Sequence, residues 1–142
     1  MSQEGASGSA SGKTVDGGCF CGAVRYQLAL PSKWCAHCHC TMCRRIHGAG
    51  YVTWVGMPSD NFRLVSAEHL EWFASSPGAR RGSCNICGSN MLFESARWPD
   101  ETHVTLASLD GPIDRRPQAH ASYKAHVDWM ALEDGLTILE GP

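Results

Sequence analysis

Eight cysteines in a chain of 142 residues set the chemistry that this sequence can do. Four sit close together at Cys35, Cys38, Cys40 and Cys43, and two further pairs lie at Cys19/Cys21 and Cys84/Cys87. Thiols crowded at one- and two-residue spacing make poor mutual disulfides but good clustered thiolates, so metal binding is the expected chemistry. Cys84-Asn85-Ile86-Cys87-Gly88 has the form of a metal knuckle. Two thiolates turn onto one ion, amides of the turn donate to sulfur, and the glycine permits a left-handed step. A lone knuckle needs two more ligands, and Cys19-Phe20-Cys21-Gly22 can supply them from a distant part of the chain. The resulting set of four thiolates would be closed and structural, with no position left for substrate.

The second cluster runs Cys35-Ala36-His37-Cys38-His39-Cys40-Thr41-Met42-Cys43. One reading is a closed site of its four cysteines. Another uses only Cys38, Cys40 and Cys43, which leaves a fourth position open for water or an incoming thiolate, as in catalytic zinc sites. A third closes the shell with His37 or His39. The residues alone leave these three readings open.

The elements that must position these thiols read as short strands. Ala23 to Leu30 alternates, with Val24, Tyr26, Leu28 and Leu30 on one face, and Pro31 ends it. Thr41 to His47 has the length of a short helix that Thr41 could cap. Gly50 to Met57 reads as a strand, and Phe62 to Val65 with His69 to Ala74 as a hairpin. Ser75 to Gly78 is a turn, after which Asn90 to Glu94 and Thr102 to Ser108 are extended. Asp110-Gly111-Pro112 is a turn, and Asp128 to Leu132 a candidate short helix. The pattern predicts a mainly β domain over residues 17–142, preceded by a disordered Ser/Gly-rich segment over residues 1–16. That segment has no apolar stretch of signal-peptide type, so a reducing, cytoplasmic location is expected. No run approaches a membrane span. A net charge of -2 gives no basic excess for nucleic acid, which neutralisation of phosphates requires.

Taken together, Gly18-Cys19-Phe20-Cys21-Gly22-Ala23-Val24-Arg25-Tyr26, Cys38-His39-Cys40-Thr41-Met42-Cys43-Arg44-Arg45 and Cys84-Asn85-Ile86-Cys87-Gly88 resemble the glutathione-dependent formaldehyde-activating enzyme family. That family shares its domain with centromere protein V. The likeness runs in order from Gly17 to Leu139 and includes Gly48-Ala49, Leu109-Asp110, His120 and Trp129. It implies a β-tent, Mss4-like fold and two zinc ions per chain. Cys19, Cys21, Cys84 and Cys87 match the structural set; Cys38, Cys40 and Cys43 match the set described for the active-site zinc, which favours the three-ligand reading. Cys35 and His37 then become neighbours rather than ligands. Ser83 stands where a bulky aromatic is expected.

The activity implied is that of a carbon–sulfur lyase joining a small thiol such as glutathione to a small electrophile such as formaldehyde. Arg44 and Arg45 are candidates to offset negative charge or clamp a carboxylate. His47 and His120 are candidates to move protons. The competing class is a non-catalytic, zinc-stabilised binding module, because one scaffold hosts several functions.

Overall fold

The computed structural model describes residues 12–142 and is mainly β, as the alternating pattern predicts. Strands β1 (Thr14–Gly18), β2 (Arg25–Ala29) and β5 (Phe62–Ser66) form a small antiparallel sheet in the order β1-β2-β5. The remaining strands are β3 (Trp34–Cys38), β4 (Val52–Pro58), β6 (Leu70–Ser76), β7 (Ala79–Cys84), β8 (Asn90–Ser95), β9 (Glu101–Thr105), β10 (Ala119–Ala121) and β11 (Thr137–Ile138). They make one sheet in the order β11-β10-β3-β4-β9-β8-β7-β6. Among the described residues no helix is long and apolar enough to cross a membrane.

The two sheets bury one core between them. Val15, Tyr26 and Leu28 from the small sheet, with Val24 from its β1–β2 turn, meet Cys35, Val55, Met57, Leu92 and Val104 from the large one. Each such side chain withdrawn from water contributes about 1.5–3 kcal/mol, which binds the layers by apolar area alone. Because neighbouring strand residues face opposite ways, the residues between these core positions form the other face of the large sheet. There the register lines up Arg81, Phe93, His103, Gly56 and Trp34 across five strands. Gly56 is required in that row: a Cβ there would come within 2.3 Å of the Trp34 ring.

Four expectations change. Strand β1 begins at Thr14, inside the segment read as a disordered lead-in, because Val15 is buried and the strand pairs with β2 from Thr14↔Ala29 onward; residues 1–11 of that segment lie outside the described residues. The apparent hairpin of Phe62–Val65 and His69–Ala74 does not form: β5 pairs with β2, and β6 pairs with β7. The helix α1 spans Thr41–His47, but its N-cap is Cys40, whose sulfur accepts from the Cys43 N–H at 3.3 Å. Gly48 ends it in the left-handed region at φ 61°. Asp128 to Leu132 forms a turn without helix, and the last short helical turn is Tyr123–Ala125.

Candidate metal centres and cavity

Each of the two distant cysteine pairs occupies a hairpin tip. Cys19 and Cys21 lie in the turn between β1 and β2, while Cys84 ends β7 and Cys87 lies in the turn between β7 and β8. The tips repeat one local geometry. Gly22 N–H returns to the Cys19 carbonyl at 3.2 Å, and Gly88 N–H to the Cys84 carbonyl at 2.9 Å. Both glycines have φ above 80°, a conformation costly for any side chain. Backbone amides aim at sulfur: Val24 N–H at Cys19 Sγ and Ile86 N–H at Cys84 Sγ, each 3.3 Å.

The four sulfurs lie within 4.8 Å of one another. Cys19 and Cys21 are 3.6 Å apart and Cys21 and Cys84 are 3.8 Å apart. Four thiolates about 2.3 Å from one tetrahedral ion stand about 3.8 Å from each other, so the donor set fits zinc. It joins a hairpin of the small sheet to one of the large sheet.

The second group is Cys38, Cys40 and Cys43, with sulfurs again within 4.8 Å; among the described residues no fourth Cys, His, Asp or Glu joins them. The end of β3 and the first turn of α1 bring them together, since Cys38 closes the strand, Cys40 caps the helix and Cys43 lies one turn on. Three thiols so close share one negative charge. Hydrogen bonds from Cys38 and Cys43 hold the Cys40 thiol far below its ordinary value, while Cys38 is pushed far up by the same contact with Cys40. Only a cation lets all three ionise. Cys35 stands apart, turned by strand alternation into the core, where burial raises its thiol to about 11.

Two donors that spacing did not single out complete this group. Trp54 Nε1–H points at Cys43 Sγ at 3.4 Å, and the Arg81 guanidinium at the same sulfur at 3.7 and 3.8 Å. Arg81 is 5% exposed, packs over the Phe93 ring, and has no hydrogen-bond partner for its Nε. A buried guanidinium beside a cluster of thiols is the positive charge that thiolates call for.

The three thiols open onto a cavity of about 750 Å³. Trp34, Trp54, Phe93, Trp98 and His103 form its aromatic wall, with Arg81 inside and Arg97 exposed at the rim. His103 is held by its Nε2 to Glu101 Oε1 at 2.9 Å, and burial lowers its pKa.

The sequence profile described as glutathione-dependent formaldehyde-activating enzyme matches residues 14–125. The chain belongs to that family. A Halomonas elongata protein named "Putative glutathione-dependent formaldehyde-activating enzyme" is 29% identical over 128 residues, covering 84% of this chain and 81% of its own length. A crystal structure of a Rhodobacter sphaeroides protein superimposes with a TM-score of 0.59 at 29% identity, covering 70% of this chain and 92% of that one.

The sequence's side-chain candidates for charge and proton handling are Arg44, Arg45, His47 and His120, and none of the four lines the cavity. Arg44 donates to the Ala125 carbonyl at 2.9 Å, and Arg45 is exposed. His47 stacks edge-on against Trp54 at 5.6 Å, and burial lowers its pKa to about 4. His120 is fully buried on the opposite face of β10, while its neighbours Ala119 and Ala121 face the cavity.

Proposed function

We propose that this chain is a zinc-dependent enzyme of the carbon–sulfur lyase type, acting on glutathione adducts in the manner of an S-hydroxymethylglutathione synthase. The observation that carries this reading is a group of three thiols, without a fourth protein donor among the described residues, on the wall of a sizeable cavity. Cys19, Cys21, Cys84 and Cys87 would hold a structural zinc, and Cys38, Cys40 and Cys43 a second ion with one position free. Bound there, zinc supplies a site that keeps an incoming thiol deprotonated near neutral pH.

The protein's own groups then divide the remaining work. Three thiolates around a divalent ion leave a formal charge of about -1, and a fourth thiolate makes it about -2. Arg81 offsets part of that charge from a buried position, where the attraction is stronger than in water. Trp54 fixes Cys43 by its indole N–H, and His47 holds the Trp54 ring as a positioning residue. The aromatic wall excludes water from the reacting sulfur. Arg97 at the rim suits a carboxylate of glutathione.

In the synthetic direction the sulfur lone pair forms the bond to the formaldehyde carbon. The carbonyl π pair moves to oxygen, which takes a proton from solvent and yields the S-hydroxymethyl thiol. Lysis reverses each step. The support from similarity is the Halomonas relative's name and the family's, both of which specify glutathione and formaldehyde.

The test is exchange NMR of glutathione and formaldehyde with the protein and with its Cys40→Ala variant. The native protein should accelerate adduct exchange and the variant should not. Equal exchange in both removes the reading.

A further inference from the structure

The face of the large sheet away from the cavity carries a second set of donors that the thiol chemistry does not use. Strand alternation places His37 and His39 opposite Cys38 and Cys40. The register sets His120 of β10 beside His37 of β3, and His37 beside Thr53 of β4, in one row. Asp134, from the loop before β11, closes over the end of this row. One donor atom each from His37, His120 and Asp134 lie within 4.8 Å of one another.

We infer that His37, His120 and Asp134 form a further binding site, for a divalent transition-metal ion that prefers nitrogen and oxygen donors. Two imidazoles and one carboxylate suit Fe²⁺, Co²⁺ or Zn²⁺ and give a net charge of about +1, with coordination positions left open.

The outer contacts argue most strongly for this. Metal-binding histidines and carboxylates are held by a second hydrogen bond that fixes ring and oxygen orientation. All three donors have one. His37 Nδ1 is tied to Thr53 Oγ1 at 2.8 Å, leaving Nε2 as its available nitrogen. His120 Nδ1 is tied to His39 Nε2 at 2.8 Å, leaving Nε2 towards the carboxylate. Asp134 Oδ1 accepts the Leu136 N–H at 3.1 Å.

The donor spacing is also that of an ion's shell. His120 Nε2 stands 2.9 Å from Asp134 Oδ2 and 3.2 Å from Oδ1. Donors about 2.1 Å from a tetrahedral ion lie about 3.4 Å apart, so a small outward movement of the carboxylate admits one. The Asp134 side chain is 42% exposed and free to make it, whereas His120 is fully buried. The ion would therefore enter from solvent past Asp134 and meet preset imidazoles.

Without an ion, His120 Nε2–H donates to Asp134 and His39 Nε2–H donates to His120 Nδ1. His39 Nδ1 is then a bare acceptor, the less costly state for a buried atom that has no partner. An ion on His120 Nε2 would leave the His120 proton on Nδ1, donating to His39 Nε2, with the His39 proton on Nδ1, so both imidazoles stay neutral and the net charge of about +1 is kept.

The experiment titrates Co²⁺ into protein whose cysteines have been loaded with zinc. Cobalt at the inferred site should add a further equivalent with weak d–d bands and no sulfur-to-cobalt charge transfer. Asp134→Asn and His37→Gln should each weaken that equivalent by about tenfold or more, while Glu133→Gln leaves it unchanged. Charge-transfer bands would instead report cobalt at the thiols, so failure here is separable from failure of the zinc assignment. No further equivalent, or equal binding by Asp134→Asn, would overturn the inference.

Discussion

The Arg81 guanidinium straddles Cys43 Sγ, with its two terminal nitrogens 3.7 and 3.8 Å from the sulfur. Both are buried, so the contact is not screened by water or salt. Charge-assisted contacts of this kind contribute about 1.5–3 kcal/mol. Arg81→Met should therefore lower adduct exchange by roughly 10- to 100-fold, and Arg81→Lys should recover part of it. The readout is the exchange rate alongside metal content. Unchanged exchange in Arg81→Met would mean that the guanidinium balances charge only in the free protein.

The two thiol groups should fail differently. Cys84→Ala removes a donor from the clip between hairpin tips and should cost about 3 kcal/mol or more, lowering the melting temperature by about 10 °C. Cys40→Ala should abolish exchange while lowering melting only by the few degrees that losing the α1 cap costs, about 1 kcal/mol. Calorimetry on both variants checks this, and equal melting curves would exchange or merge the two roles.

Gly56→Ala tests the cavity wall. Its Cβ would meet Trp34 Cε2 and Nε1 at 2.3 Å, so the indole must move. Overpacking of this kind costs about 1–3 kcal/mol. Denaturant unfolding should show that loss, and Trp34 fluorescence should shift as the ring leaves the wall. A variant as stable as the parent, with unaltered emission, would contradict the packing.

Acid sensitivity should include a share from His103. Burial lowers its folded pKa below the ordinary value, while the unfolded chain titrates near 6.5. The unfolded state thus binds more protons between those values. Stability is full above about pH 6.5 and falls as pH drops toward the folded pKa, by up to about 1.4 kcal/mol per pH unit for one group. His103→Gln, studied with zinc in excess, should flatten the stability profile over that window. Parallel profiles would show that folding leaves the proton affinity of His103 unchanged.

The cysteine groups were legible because ligand spacing is a local property: three thiols within six residues must meet whichever way the sheet is built. The helix at Thr41–His47 was legible for the same reason. Arg81 was not. It is adjacent to Arg80, which pairs with Glu94 at the surface, and nothing in the two letters distinguishes them. Only the alternation of β7, with Phe93 opposite Arg81, turns one inward. Arg44 and Arg45 drew attention by following Cys43 in sequence, yet α1 carries Arg44 toward the Ala125 carbonyl. The false hairpin at Phe62–Ala74 has a similar cause, since period-two alternation identifies a strand but not its partner.

Strand β3 and its extension write two texts in one line, imidazoles at His37 and His39 and thiols at Cys38 and Cys40. Point substitutions can revise either text without touching the other. Insertion or deletion of a single residue between Trp34 and Cys40 would transpose both at once, sending imidazoles into the cavity and thiols to the far side. This stretch should therefore tolerate changes of letter during descent while refusing changes of length, and its loops should absorb the indels instead.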